Sequence, residues 1–230
     1  MRLLYPHNRV LLPGLARRVR KARLTYLSRA KFLSLANEID RVRREKVTGD
    51  FCELGVALGG SAIYIASQLE PGRRFGGFDV FGMIPPPSER DGDDTHDRYR
   101  TIAEGRSAGI DGDPYYGYIE DLYDRVVLNF SRFGLTVDGE RIALFRGLFQ
   151  DTLPLRSGPV AFAHIDCDWH DAVAYCLETL APSMSPGGAI IVDDYNDYQG
   201  CREAVDTHLS NDPSLMLKRT RPHAVLQKLR

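Results

Sequence analysis

No apolar run in this chain approaches the roughly 20 residues that a membrane-spanning helix needs, so no membrane partner is expected. Neither sign of charge dominates. Thirty Lys and Arg against 31 Asp and Glu leave a formal net charge of −1, and without a field of one sign there is no general attraction to nucleic acid. Cysteine is scarce and scattered, four residues with no C-x-x-C pair, which argues against both a disulfide frame and a zinc site. Cys52 and Cys167 fall at the ends of expected strands and Cys176 in an expected helix, so they read as small buried hydrophobes in a reducing, cytoplasmic setting. The basic N-terminus MRLLYPHNRVLLPGLARRVRKAR lacks an apolar core region and a small-residue cleavage site, and is not read as a signal peptide. The dinucleotide pattern G-x-G-x-x-G is missing, as is any internal repeat.

What is present is an apolar fraction of 43% in 230 residues, enough for one α/β domain with an appendage. Its organising stretch is FCELGVALGGS, residues 51–61, followed by the apolar helical pattern AIYIASQLE. This reads as strand, glycine turn, helix. Gly55 lets the chain leave the strand sharply, and Gly59-Gly60 are expected to let backbone approach a ligand at a helix N-terminus. A second strand ends near Asp79, and an acid at that place is a usual partner for two ribose hydroxyls. The spacing E-x-G-x-x-x-G-G-S suits a nucleoside without a pyrophosphate. Such a turn is often only a tight connection, so it decides little by itself.

Taken in order, residues 1–47 form a basic arm, expected to be a solvated tail as far as residue 21, and then an amphipathic helical region over 24–47. Residues 48–230 alternate strands at 51–54, 74–78, 141–145, 160–165 and 189–192 with helices at 61–69, 119–133, 172–180 and 201–209. Two short strands, 215–219 and 224–228, close the chain as an antiparallel hairpin. The pattern predicts a mainly parallel sheet. Residues 82–121 interrupt it with Pro-Pro-Pro, several Asp-Gly pairs and a tyrosine cluster. A loop this long is a lid, a binding loop or disorder, and the tyrosines argue against disorder.

Ligands bind at the carboxyl ends of strands in such sheets. Those ends read Glu53/Gly55, Asp79, the Gly147 region, Asp166/Asp168 and Asp193/Asp194. Clustered carboxylates repel one another unless a cation sits among them. Asp166, Asp193 and Asp194 are therefore expected to hold a divalent ion, and an all-oxygen set suits Mg²⁺ or Mn²⁺ better than Zn²⁺. Either site alone reads equally as helix caps and polar loop. His164 reads as a satisfied buried histidine, and His170 as the better candidate for proton transfer. Trp169 reads either as a pocket wall or as ordinary core.

The collinear motifs E-L-G-V-x-x-G-G-S-A, F-D-x-F-G-M, G-x-F-x-D-T-L-P, H-I-D-x-D, S-P-G-G-x-I-I-V-D-D-Y and G-C-R-E-A-V-D resemble the macrocin O-methyltransferase family over about residues 24–209. The resemblance implies a class I, Rossmann-like methyltransferase with a seven-stranded sheet. It implies an S-adenosylmethionine cofactor, a metal on Asp166, Asp193 and Asp194, and methyl transfer to a sugar hydroxyl of a glycoside, polysaccharide or glycosylated natural product. It places Glu53, Gly55, Gly59 and Ser61 on the methionine side, Asp79 on the ribose with Phe81 and Gly82 beside it, and Gly147, Phe149, Gln150 and Asp151 near the adenine. Tyr26 corresponds to a segment that folds over the cofactor. Asp166 or His170 would take the proton, the acceptor would be a small molecule or oligosaccharide, and a homodimer is expected. Two features depart from the family pattern: Trp169-His170 stands where Leu-Tyr is usual, and the insertion carries DGDDTHDRY. The alternative is a Mg²⁺-dependent methyltransferase of a phenol or catechol. That group has a lysine in the loop after the fourth strand, where this chain has Trp169.

Overall fold

The computed structural model describes residues 9–155 and 157–229. The first eight residues of the basic arm lie outside the described residues.

The strands are β1 (Asp50–Leu54), β2 (Phe75–Asp79), β3 (Ile142–Arg146), β4 (Val160–Ile165), β5 (Met184–Val192), β6 (Leu215–Arg219) and β7 (Ala224–Lys228). They form one sheet in the order β3-β2-β1-β4-β5-β7-β6, parallel except at β7, which runs antiparallel to both β5 and β6. The topology reverses between β1 and β4, where ligands collect in open α/β sheets.

Both faces of the sheet are covered, so successive strand residues serve different layers. Phe51 packs with α1 (Gly14–Lys21), α2 (Arg29–Arg44), α3 (Gly60–Ser67) and α5 (Leu122–Arg132), while Cys52 faces α7 (His170–Leu180) and α8 (Gln199–Asn211). Phe32, Leu35, Ile39 and Val42 of α2 are fully buried on the first face. Truncating such a residue as Phe32 costs about 3–5 kcal/mol. Ser28 begins α2 by accepting the Lys31 N–H at 3.2 Å.

Two expectations change. The basic arm is not a solvated tail over residues 14–21: it forms α1, which buries Ala16 and Val19 against the domain. The insertion combines loops with a helix, α4 (Asp93–Ala103). Strand β5 starts at Met184, five residues earlier than its apolar run, because S-P-G-G extends the strand through a register shift and does not break it. A four-residue helix, α6 (Phe149–Thr152), follows β3.

Gly55 sits at φ +93°, and a Cβ there would lie 1.8 Å from the Asp166 carbonyl oxygen. Only glycine lets β1 turn this close to the end of β4. Gly60 answers a different demand. Its N–H donates to the Leu24 carbonyl at 2.8 Å, and a Cβ would stand 2.3 Å from that oxygen. Gly60 thus admits the α1–α2 connection, while Gly59 faces Val126 and Phe130 of α5.

Candidate active site

Two cavities open at the carboxyl ends of the strands. One, of about 350 Å³, runs along Val80, Gly82, Pro85, Gly147, Leu148, Phe149, Gln150 and Trp169. The other, of about 240 Å³, is bounded by Tyr26, Lys31, Ser61, Arg98, Tyr115, Asp193, Asp194 and Tyr198. Gly55, Asp79, Tyr116, Asp166 and Asp168 line both, so the cavities meet beside the acids. The first is mostly apolar and suits a flat heterocycle; the second is polar.

Asp79 is set by the turn it supports. Its Oδ2 accepts the N–H groups of Val56 and Ala57 at 2.7 and 2.9 Å, and its Oδ1 accepts Phe81 N–H at 2.7 Å. One carboxylate therefore ties the β1 turn to the end of β2. It faces both cavities while doing so. Burial pushes its carboxyl above the ordinary range, against the pull of these backbone donors.

Oxygens of Asp166, Asp168 and Asp194 lie within 4.8 Å of one another. Burial is the main force raising all three carboxyls above the ordinary range. Asp193 adds most to it at Asp166, and Asp168 adds most at Asp194. Asp194 Oδ2 is buried without a hydrogen-bond partner. Three desolvated carboxylates with an orphaned oxygen, and no softer donor among them, fit a hard divalent cation such as Mg²⁺ or Mn²⁺.

Asp193 is engaged differently from the expectation. Its Oδ2 accepts from Lys31 Nζ at 2.7 Å, and its Oδ1 faces His223 Nδ1 at 3.2 Å and His164 Nε2 at 3.9 Å. Burial opposes its charge, yet His164 and His223 hold it well below the usual carboxylate range. Asp168 joins Asp166 and Asp194 in one group of neighbouring oxygens, while Asp193 is grouped with Asp194 and Asp197, so Asp194 is common to both. Asp168 stands at φ +61°, a left-handed turn rare for a non-glycine residue.

Beneath this floor, Glu53 Oε1 faces His164 Nδ1 at 2.7 Å, with both side chains fully buried. Burial works against the imidazolium, but Asp193 and Glu53 push it up to about 10. His164 is thus a core histidine bound to Glu53 through Nδ1, while its buried Nε2, 3.9 Å from Asp193 Oδ1, has no hydrogen-bond partner.

Gly55, Ser61, Asp79, Gly147, Phe149, Gln150, Tyr26, Asp166, Asp193 and Asp194 all line the cavities, as does Trp169. Five expected residues do not. Glu53 is sealed under the floor by His164. Gly59 packs toward Val126 and Phe130. Phe81 is core, edge-on to Tyr123. Asp151 is exposed on α6 and outside both cavities. His170 faces a separate groove between α7 and α8, with its Nδ1 at 2.8 Å from Asp171, so the α7 backbone turns it away from the acids.

Sequence reasoning missed Lys31, Arg98, Tyr116 and Tyr198 as cavity residues. Lys31, Arg98 and Tyr116 lie on helices far from the strand ends in sequence, and Tyr198, shortly after β5, belongs to no motif. Asp168 was visible as the second acid of D-x-D, without a rule assigning it to the ion.

The profile described as Macrocin-O-methyltransferase (TylF) matches residues 19–213. Among characterised proteins, the 8-demethyl-8-(2,3-dimethoxy-alpha-L-rhamnosyl)-tetracenomycin-C 4'-O-methyltransferase of Streptomyces olivaceus is 33% identical over 174 residues, 73% of this chain and 60% of that protein. The mycinamicin III 3''-O-methyltransferase of Micromonospora griseorubida is 29% identical over 79% of this chain and 68% of its own length. The chain thus spans less than two thirds of the first relative. Among solved structures, the O-methyltransferase NovP superposes with a TM-score of 0.71 at 25% identity, over 86% of this chain and 78% of that one.

Proposed function

The chain belongs to the macrocin O-methyltransferase family, and from that premise we propose that it moves the methyl group of S-adenosylmethionine to a hydroxyl of a sugar on a glycosylated small molecule, with a divalent cation. The observation that carries this reading is the convergence of Asp166, Asp168 and Asp194 where the two cavities meet. The apolar cavity takes the adenosine and the polar one takes the acceptor, so methyl donor and hydroxyl come together beside the acids. The relatives named above act on sugar-bearing molecules, by their names.

A Mg²⁺ or Mn²⁺ held by Asp166, Asp168 and Asp194 would supply positive charge that lowers a nearby hydroxyl's pKa. The chain's own residues do the rest. Asp79 and Gly55 fix the turn under the ribose. Gly147, Phe149 and Gln150 border the base. Tyr26 and Tyr116, whose rings meet edge-on at 5.9 Å, close the roof and exclude water. Transfer breaks the sulfonium S–CH₃ bond as the O–CH₃ bond forms. The electron pair returns to sulfur, and the hydroxyl proton passes to a carboxylate oxygen of Asp166 or Asp168. Because a thioether is a good leaving group, alignment supplies much of the rate.

The test is a panel of glycosides and phenols with labelled cofactor, with and without chelator. Sugar products that vanish in EDTA and return with Mg²⁺ or Mn²⁺ are expected. Full turnover in chelator would remove the metal, and methylation of phenols alone would replace the sugar.

A further inference from the structure

Asp193 is held on both oxygens, and the second hold reaches it through a chain of side chains from outside the cavities. Arg219, the last residue of β6, places Nη1 2.9 Å from Glu38 Oε1 and donates from Nη2 to Ser34 Oγ at 2.7 Å. Ser34 Oγ lies 2.7 Å from His223 Nε2, and His223 Nδ1 lies 3.2 Å from Asp193 Oδ1. Ser34 and Glu38 are one turn apart on α2, and His223 stands immediately before β7. His223 is fully buried, and Ser34 and Asp193 are nearly so. The chain thus joins α2, the C-terminal hairpin and the turn after β5.

Its two ends fix its direction. A guanidinium can only donate, so Ser34 Oγ accepts from Arg219 and keeps its own proton for His223 Nε2. Burial opposes the charge of Asp193, but His164, His223 and Lys31 hold its carboxyl well below the usual range, so it is ionised and can only accept. His223 Nδ1 therefore carries the proton. The opposite tautomer would set a nitrogen lone pair against a carboxylate oxygen. Burial also lowers the pKa of the imidazole, against the pull of Asp193, which favours the neutral ring.

We propose that His223 is a positioning residue for the acid pair Asp193-Asp194, with its tautomer set by Ser34 and Arg219. The inference rests on the cation reading above and adds residues that line neither cavity at the strand ends. With Lys31 on Oδ2 and His223 on Oδ1, the Asp193 side chain has one orientation. Asp194 follows in the same turn, with its Oδ2 buried and unpartnered. A fixed Asp193 therefore steadies the backbone that aims Asp194 at Asp166 and Asp168. Asn196, in that turn, also donates to the Thr220 carbonyl, a second tie between the turn and the hairpin. Groups that hydrogen-bond a metal site's carboxylates from behind orient them, and losing one costs about tenfold or more in metal affinity.

The experiment uses the full chain with isotope-labelled histidine nitrogens. Two-bond proton–nitrogen spectra identify His223 as the ring missing in His223→Asn. A protonated Nδ1 and a bare Nε2 are expected in the wild type, and a mixture of tautomers in Ser34→Ala. Mn²⁺ titration followed by EPR then reads the acid pair. His223→Leu should weaken Mn²⁺ roughly ten- to hundredfold. His223→Asn, whose amide can still donate to Asp193, should restore most of that loss. Ser34→Ala should cost about two- to tenfold, the scale of one neutral hydrogen bond. S-adenosylhomocysteine affinity by calorimetry should stay at the wild-type level in all three variants. A bare Nδ1 in the wild type would overturn the proposal, as would wild-type Mn²⁺ affinity in His223→Leu or no recovery in His223→Asn. Parallel loss of Mn²⁺ and S-adenosylhomocysteine would also overturn it, since that pattern marks general damage to the fold. If the wild type binds no Mn²⁺, the cation reading fails by itself. The spectra then decide: a protonated Nδ1 upholds the hold on Asp193, and a bare one sinks it.

Discussion

The Lys31 ammonium lies 2.7 Å from Asp193 Oδ2, joining the first turn of α2 to the end of β5 across 162 residues of sequence. The contact explains why Asp193 can remain ionised beside three other acids. Lys31→Met should leave a desolvated carboxylate with only His223 and His164 for company. The expected cost is about 1–3 kcal/mol in urea unfolding, the scale for a stranded charged group, together with tighter Mn²⁺ binding by EPR, because a competing ammonium is gone and Asp193 is free to meet another cation. Wild-type stability and unchanged Mn²⁺ affinity would show the contact to be incidental.

Asp79 makes a two-part prediction. It satisfies three backbone N–H groups and also faces the cavities. Asp79→Ala should therefore lower stability by about 1–3 kcal/mol and weaken S-adenosylhomocysteine in calorimetry at the same time. A loss of stability with full affinity would make Asp79 a turn residue alone.

Glu38 governs stability on the acid side. It is nearly buried on α2, with Arg219 Nη1 at 2.9 Å, Arg41 Nε at 2.9 Å and Lys218 Nζ at 4.0 Å. Burial would raise its carboxyl, but Arg219, Lys218 and Arg41 hold it below the usual range. A depressed native pKa means the contribution is complete above the unfolded value, about 4.3, and fades as pH falls through the native one. Glu38→Gln should flatten the unfolding free energy between about pH 5 and 3. The same slope in both proteins would place the acid sensitivity elsewhere.

The insertion is fastened at two points near the acids. Trp169 Nε1 donates to the Pro85 carbonyl at 2.9 Å, and Asp91 Oδ1 accepts His170 N–H at 2.8 Å, capping α7 from outside. Residues 83–118 should gain hydrogen-exchange protection when cofactor and acceptor bind. In Trp169→Ala the segment should exchange faster in the free protein. Identical exchange in all three states would mean that the segment is a static wall.

The strands and their order were largely legible. Both strands of the C-terminal hairpin and β4 begin and end at the residues their apolar pattern predicts. Strand β4 is buried at every position, so its apolar run carries its own boundaries, whereas β6 and β7 are only partly buried and are delimited by the turn at residues 220–223 between them. The two helices that escaped notice show the converse. Helix α4 buries only Thr95 and Ile102, and α1 only Ala16 and Val19. Helix α4 has no apolar stripe to read, and its placement comes from the surface it meets; α1 does carry one, Leu15, Ala16 and Val19, set among basic residues.

The site divides along the same line. The sequence alone determined that acids would gather at the strand ends, because the alternation of strand and turn puts them there. Which acids face one another was decided only in three dimensions. Asp193 is engaged by Lys31 from α2 and by His223 just before β7 while remaining beside Asp194, and Asp168, in a left-handed backbone, stands beside Asp166 and Asp194. His170 follows two residues later and is carried out of the site by the first turn of α7. Side-chain direction at the end of a strand depends on the local φ and on long-range charge partners. Neither is written in the spacing of the residues.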